Sequence, residues 1–171
     1  MLGTVYTVAP IPPDPEHTTY VDGGALRFGV EYRLLNDAEL AANYQGEAMS
    51  EIQANIKTDS VEDHGVSIHV LGSADCHEYL RFDCFVEGPH YHYIEPSGEK
   101  QTIVDFDPVA MGEMLPWALH QLRHRLAPML EYAGGGALIV EIDSAKINVA
   151  LAEVEKLARE AEAALAAGAS R

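Results

Sequence analysis

Residues 76–93 read Cys-His-Glu-Tyr-Leu-Arg-Phe-Asp-Cys-Phe-Val-Glu-Gly-Pro-His-Tyr-His-Tyr and hold both cysteines, three of eight His and three of eight Tyr. Within them, His90-Tyr91-His92 is the element most able to do chemistry. On a strand, alternate residues share a face, so both imidazoles point one way while Tyr91 and Tyr93 point the other. Two imidazoles about 7 Å apart at Cβ can converge on one ion, whose bonds to nitrogen are about 2.0–2.1 Å long. The expected cofactor is one divalent ion, zinc or iron.

A third ligand is needed, and the pairing of this strand with the one before it decides which is available. An even number of loop residues places His90 and His92 on the face of Arg81, Asp83 and Phe85; an odd number places them with Phe82 and Cys84. Gly88-Pro89 disfavours the tight two-residue turns, because Pro cannot take a positive φ, and so both registers stay open. The first gives a two-His-one-carboxylate set or acid/base chemistry on an anionic substrate; the second gives a softer His-His-Cys set. Glu95 is a further candidate ligand. His-x-His with a downstream Glu resembles the pattern of cupins, metal-binding β-barrels. Here the Glu stands closer than in cupins, and the later His after Pro-x-Gly is missing, so membership is not assigned.

Arg81 could pair with Asp83 or Glu95, or grip a substrate carboxylate or phosphate. Tyr91 and Tyr93 could donate hydroxyl groups or pack against helices. Outside the cluster, His69 could face the same cavity. Cys76-His77-Glu78 reads as a loop, and His120 and His124 as an exposed i, i+4 pair. Trp117 reads as core. Gly134-Gly135-Gly136 lacks the spacing of a dinucleotide loop.

Positioning these residues requires a sheet. From Gly65 to Phe106, alternating runs led by Val66-Ile68-Val70, Leu80-Phe82-Cys84-Val86, His90–Glu95 and Thr102–Phe106 are separated by turn formers, which predicts an antiparallel meander. A strand is expected over Ala25–Leu35. A single helix is expected from an Asp37 N-cap toward Lys57, with Gly46 as its weak point. Asp107-Pro108 opens a helix as N-cap and first helical residue, and the glycines at 134–136 end it. Ala137–Ile142 is read as a strand or buried connector. Ser144 starts a last helix whose Ile147, Leu151, Val154, Ala158, Ala161 and Leu165 form a heptad seam. The fold class is α+β: a curved antiparallel sheet, open or barrel-like, covered on one face by two or three helices. Residues 1–24, with Pro10, Pro12, Pro13 and Pro15, form an extended N-terminal arm, and 25–171 a single domain.

With 27 acidic against 11 basic residues the net charge is −16. That charge opposes binding to nucleic acid or to an anionic membrane surface, both of which need clustered cations. Met1–Pro13 lacks a secretory signal pattern, and no run reaches the roughly 18 apolar residues of a membrane span. Two cysteines make no disulfide framework, which fits a reducing cytoplasm.

The leading functional expectation is an enzyme or binder of an anionic small molecule, with its pocket between the sheet and the covering helices. A lyase, isomerase or oxygenase step would suit these groups. The rival is a non-enzymatic homodimeric module, with the aromatic hairpin and C-terminal helix as interface.

Overall fold

The computed structural model describes residues 2–56 and 58–168, with the side chains of the last turns beyond Ala164 left out; Leu165 of the expected seam and Lys57 fall outside the described side chains. Seven strands form one open antiparallel sheet: β1 (Thr4–Tyr6), β2 (Thr19–Asp22), β3 (Leu26–Asn36), β4 (Glu62–Gly72), β5 (Glu78–Phe85), β6 (His90–Ile94) and β7 (Gln101–Asp105). Their order is β1-β7-β6-β5-β4-β3-β2, so β2 to β7 run as a meander and β1 returns to pair with β7. The barrel therefore does not close. Residues 2–24 are no free arm: they supply both edge strands and the segment between them.

Alternation along the strands divides the side chains between two layers. On one side Leu26, Phe28, Ile68, Leu80 and Phe82 are fully buried beneath three helices, α4 (Met114–His124), α5 (Leu126–Tyr132) and α6 (Ser144–Gly168). On the other side a smaller apolar cluster of Val8, Ile11, Leu40 and Ile52 joins the proline-rich segment to two short helices, α1 (Asp37–Asn43) and α2 (Gly46–Asn55). Both faces are thus covered, rather than one. The strand β4 carries the mark of this double burial, being buried without interruption from Gly65 to Gly72.

Several elements differ from expectation for local reasons. The helix from residue 37 divides in two, because Tyr44 and Gln45 are extended and Gly46 adopts φ +56°, a left-handed conformation that favours glycine. Its N-cap is Asn36, whose side chain accepts from the Glu39 N–H. Asp107 does cap the next helix, α3 (Pro108–Met111), accepting from the N–H groups of Val109 and Ala110. The long helix expected to follow is broken twice. Gly112 at φ +79° ends α3. Pro128, which has no N–H to return to His124, coincides with the break between α4 and α5. Residues Gly136–Glu141 form a 3-10 helix rather than a strand, with Val140 exposed. The seam of α6 packs inward: Ile147, Leu151, Val154 and Ala158 are buried against the sheet and α4. Among the described residues, no helix is long and apolar enough to cross a membrane.

Candidate metal centre

The register settles the open parity. β5 pairs with β6 as Arg81↔His92 and Asp83↔His90, the even case, so both imidazoles share a face with Arg81, Asp83 and Phe85. That face is the one beneath the proline-rich segment and α1–α2, not the one beneath the long helices, so the pocket lies between the sheet and the two short helices. Cys84 points into the main core layer, away from the imidazoles, and an even register excludes it as their partner ligand. Glu95 is exposed in the turn after β6, its N–H donating to the Lys100 carbonyl, and does not join the group. Tyr91 and Tyr93 also face the helices: Tyr91 stacks on Phe82 with ring centres 6.0 Å apart, and Tyr93 meets Tyr132 edge-on at 4.5 Å.

What remains on the polar face is a buried cluster. Asp83 is 3% exposed and His92 5%. The Oδ2 of Asp83 lies 2.9 Å from His92 Nε2 and 3.3 Å from His90 Nε2. Ligands of an ion with bonds near 2.1 Å are separated by about 3.0–3.4 Å in octahedral or tetrahedral geometry, so these spacings fit. Among the described residues, Asp83, His90 and His92 are the group of three whose ligand atoms, all within 4.8 Å of one another, could hold a metal ion.

The proton inventory points the same way. His90 Nδ1 lies 2.6 Å from the Gly88 carbonyl, which can only accept, so this nitrogen carries hydrogen. His92 Nδ1 lies 2.7 Å from Gln101 Oε1. The orientation of that amide is fixed by its other end, where Nε2 donates to the Val8 carbonyl over 3.1 Å. His92 therefore also carries its hydrogen on Nδ1. Ser67 donates to the second carboxylate oxygen of Asp83. In neutral rings both Nε2 lone pairs then face one carboxylate oxygen, which is repulsive unless a proton or a cation lies between them. Outer N–H groups donating to carbonyls are how metal-binding histidines are usually oriented, and the residues present fit a divalent ion.

Electrostatics separates the two rings. Burial opposes charge on His90, but the hydrogen bond and charge of Asp83 outweigh it and raise its pKa above the usual value. In His92 burial prevails over Asp83, and the pKa falls. Burial would push Asp83 up; the two imidazoles outweigh it and hold its carboxyl well below the ordinary range.

Beside this centre lies a second buried network. Arg81 does not pair with Glu95: its Nε and Nη2 are held by Glu78 at 2.8 and 2.6 Å. Residues three apart on a regular strand face opposite ways, but a register shift between Val70 and Leu71 pairs Leu71 with Glu78 and turns Glu78 onto the Arg81 face. His69, fully buried, bridges Glu78 at 2.5 Å and Glu31 at 3.2 Å. Glu31 also accepts from Thr18 and pairs with Arg33 at 3.1 Å. His120 and His124 lie on the exposed face of α4, rings 4.5 Å apart and far from this network in the fold.

Four contributors were missed in the sequence: Ser67, Glu31, Glu78 and Gln101. Ser67, alternating with apolar neighbours on a doubly buried strand, offered the one signal; the placement of Glu78 depends on a bulge that no residue pattern announces. A cavity of about 180 Å³ opens over the centre, lined by Arg33, Arg81, Asp83, His90, His92 and Gln101 at its polar end. No curated protein and no solved structure matches the chain. Residues 20–158 match the family described as Domain of unknown function (DUF7700), and the chain belongs to that family.

Proposed function

We propose that this protein is a metal-dependent enzyme or binder of a small anionic molecule, with Asp83, His90 and His92 as ligands to one divalent ion. The observation that carries the reading is the convergence of two Nε2 atoms on one carboxylate oxygen, with both outer ring nitrogens already committed to carbonyls. Two histidines and one carboxylate suit zinc or iron and leave coordination positions free for substrate. An ion held there would polarise a bound oxygen or activate a water, which serves a lyase, isomerase or oxygenase step. Arg81, pinned by Glu78, supplies positive charge to the cavity wall, and Ser67 and Gln101 keep the ligands oriented. Two free thiols, Cys76 and Cys84, support a reducing cytoplasm as the place of work. The rival dimeric module loses support, because Tyr91, Tyr93 and the seam of α6 are spent on contacts within the chain.

Elemental analysis after zinc loading and dialysis tests the reading. Wild type should retain about one equivalent, Asp83→Asn and His92→Ala close to none, and the His120→Ala/His124→Ala double variant the wild-type amount. Zinc retained by His92→Ala but lost from the double variant would refute it.

A further inference from the structure

We propose that the ligand taken by this centre is a small hydrophobic monocarboxylate, with an apolar body of about five to seven non-hydrogen atoms. The inference rests on the metal-centre reading above and adds size, charge and polarity.

Size comes first. A cavity near 150 Å³ accommodates a benzene-sized molecule, and this one measures about 180 Å³. Nucleotides and phosphorylated sugars are too large. Polarity follows from the apolar part of the lining, where Leu35, Leu40, Ile52, Ile56, Val61 and Ile103 contribute no hydrogen-bonding group. A hydroxylated ligand would lose its hydration there without replacement, at a cost that a hydrocarbon body avoids. Tyr44, which also lines the cavity, already donates its hydroxyl to the Ala9 carbonyl.

Charge completes the argument. Around the polar end, Arg33, Arg81 and His69, whose two ring nitrogens both face carboxylates, stand against Glu31, Glu78 and Asp83. A divalent ion leaves this end positive, which favours an anionic headgroup, while the apolar part of the lining has no partner for a second carboxylate. The carboxylate would therefore sit at the ion and the hydrocarbon would extend toward Leu40 and Ile52.

Titration calorimetry on the zinc-loaded protein tests this with four probes: benzoate, 4-methylpentanoate, acetate and succinate. Each buried methylene is worth about a four-fold gain in affinity, so 4-methylpentanoate, with four more carbons than acetate, should bind roughly 250-fold more tightly than acetate, and benzoate at least as tightly. Succinate should be no better than acetate. Ile56→Trp, at a half-buried position on the wall, and Leu40→Phe, at a buried one, should each weaken benzoate at least ten-fold while retaining one equivalent of zinc. Benzoate and 4-methylpentanoate binding within three-fold of acetate, with zinc retained, would overturn this inference and leave the metal centre standing. Absence of zinc binding would overturn the metal centre and this inference with it.

Discussion

Gln101→Leu tests the proton inventory at its least conspicuous member. Gln101 is 2% exposed and makes no contact with the proposed ion; it accepts from His92 Nδ1 at 2.7 Å and donates to the Val8 carbonyl at 3.1 Å. Leucine is of similar bulk and can do neither. Without that acceptor the hydrogen of His92 is free to move to Nε2, where Asp83 takes it up and the lone pair needed for a metal is lost. Removing a partner that orients a metal-binding histidine costs about 10–100-fold in affinity, or roughly 1.4–2.7 kcal/mol. The same change leaves the Val8 carbonyl unpaired beneath the proline-rich segment, worth about 1–3 kcal/mol of stability. For a domain of this size that lowers the melting temperature by about 3–10 °C. Competition against a chromophoric zinc chelator measures the first quantity and thermal unfolding of the metal-free protein the second. Gln101→Glu keeps an acceptor for His92 while losing the donor to Val8, so it should hold zinc at least as well as wild type yet melt lower. Zinc affinity of Gln101→Leu within three-fold of wild type would refute the assignment of His92's hydrogen to Nδ1.

Two further outcomes follow from the buried polar layer and from the opposite face. Burial opposes charge on Glu31, but its hydrogen bond to His69 and the charges of His69 and Arg33 lower its pKa below 4.5. A depressed carboxyl contributes stability that is present above the unfolded value and is lost as pH falls through the folded one. Melting temperature should therefore drop between about pH 5 and pH 3, less steeply in Glu31→Gln, and equal slopes would contradict the network. Burial pushes the Cys84 thiol well above its usual pKa, whereas Cys76 is exposed, so a disulfide reagent should label one thiol quickly in native protein and two after denaturation. Equal rates at both cysteines in native protein would show that the sheet does not shield Cys84.

Much of the centre was legible because strand alternation is a simple rule. It put His90 and His92 on one face and Tyr91 and Tyr93 on the other, and the even register adds Arg81 and Asp83. The choice between Asp83 and Cys84 was not legible, since it depends on the parity of a loop built around Gly88-Pro89. Nor was the depth of the polar layer. Gln101 opens a strand whose apolar signal began one residue later, at Thr102, and Glu78 reaches the site only through a bulge. The covering of the second face was not legible for a different reason. Long helices advertise themselves through apolar spacing, whereas the proline-rich segment and two short helices form a cover with little periodicity. Tyr44 bonding to Ala9 holds that cover together, and Gln101 bonding to Val8 ties it to the sheet, through contacts that no pattern predicts.

The sheet thus separates two unequal apolar clusters, one extensive and one built, among the described residues, around four buried side chains. Local opening follows the weaker packing, so the smaller layer can swing away while the larger one keeps the strands in register. The proposed ligand would then enter and leave by subglobal fluctuation, without the whole chain crossing its unfolding barrier. Four prolines between positions 10 and 15 limit how far the detached segment wanders, which favours its prompt return.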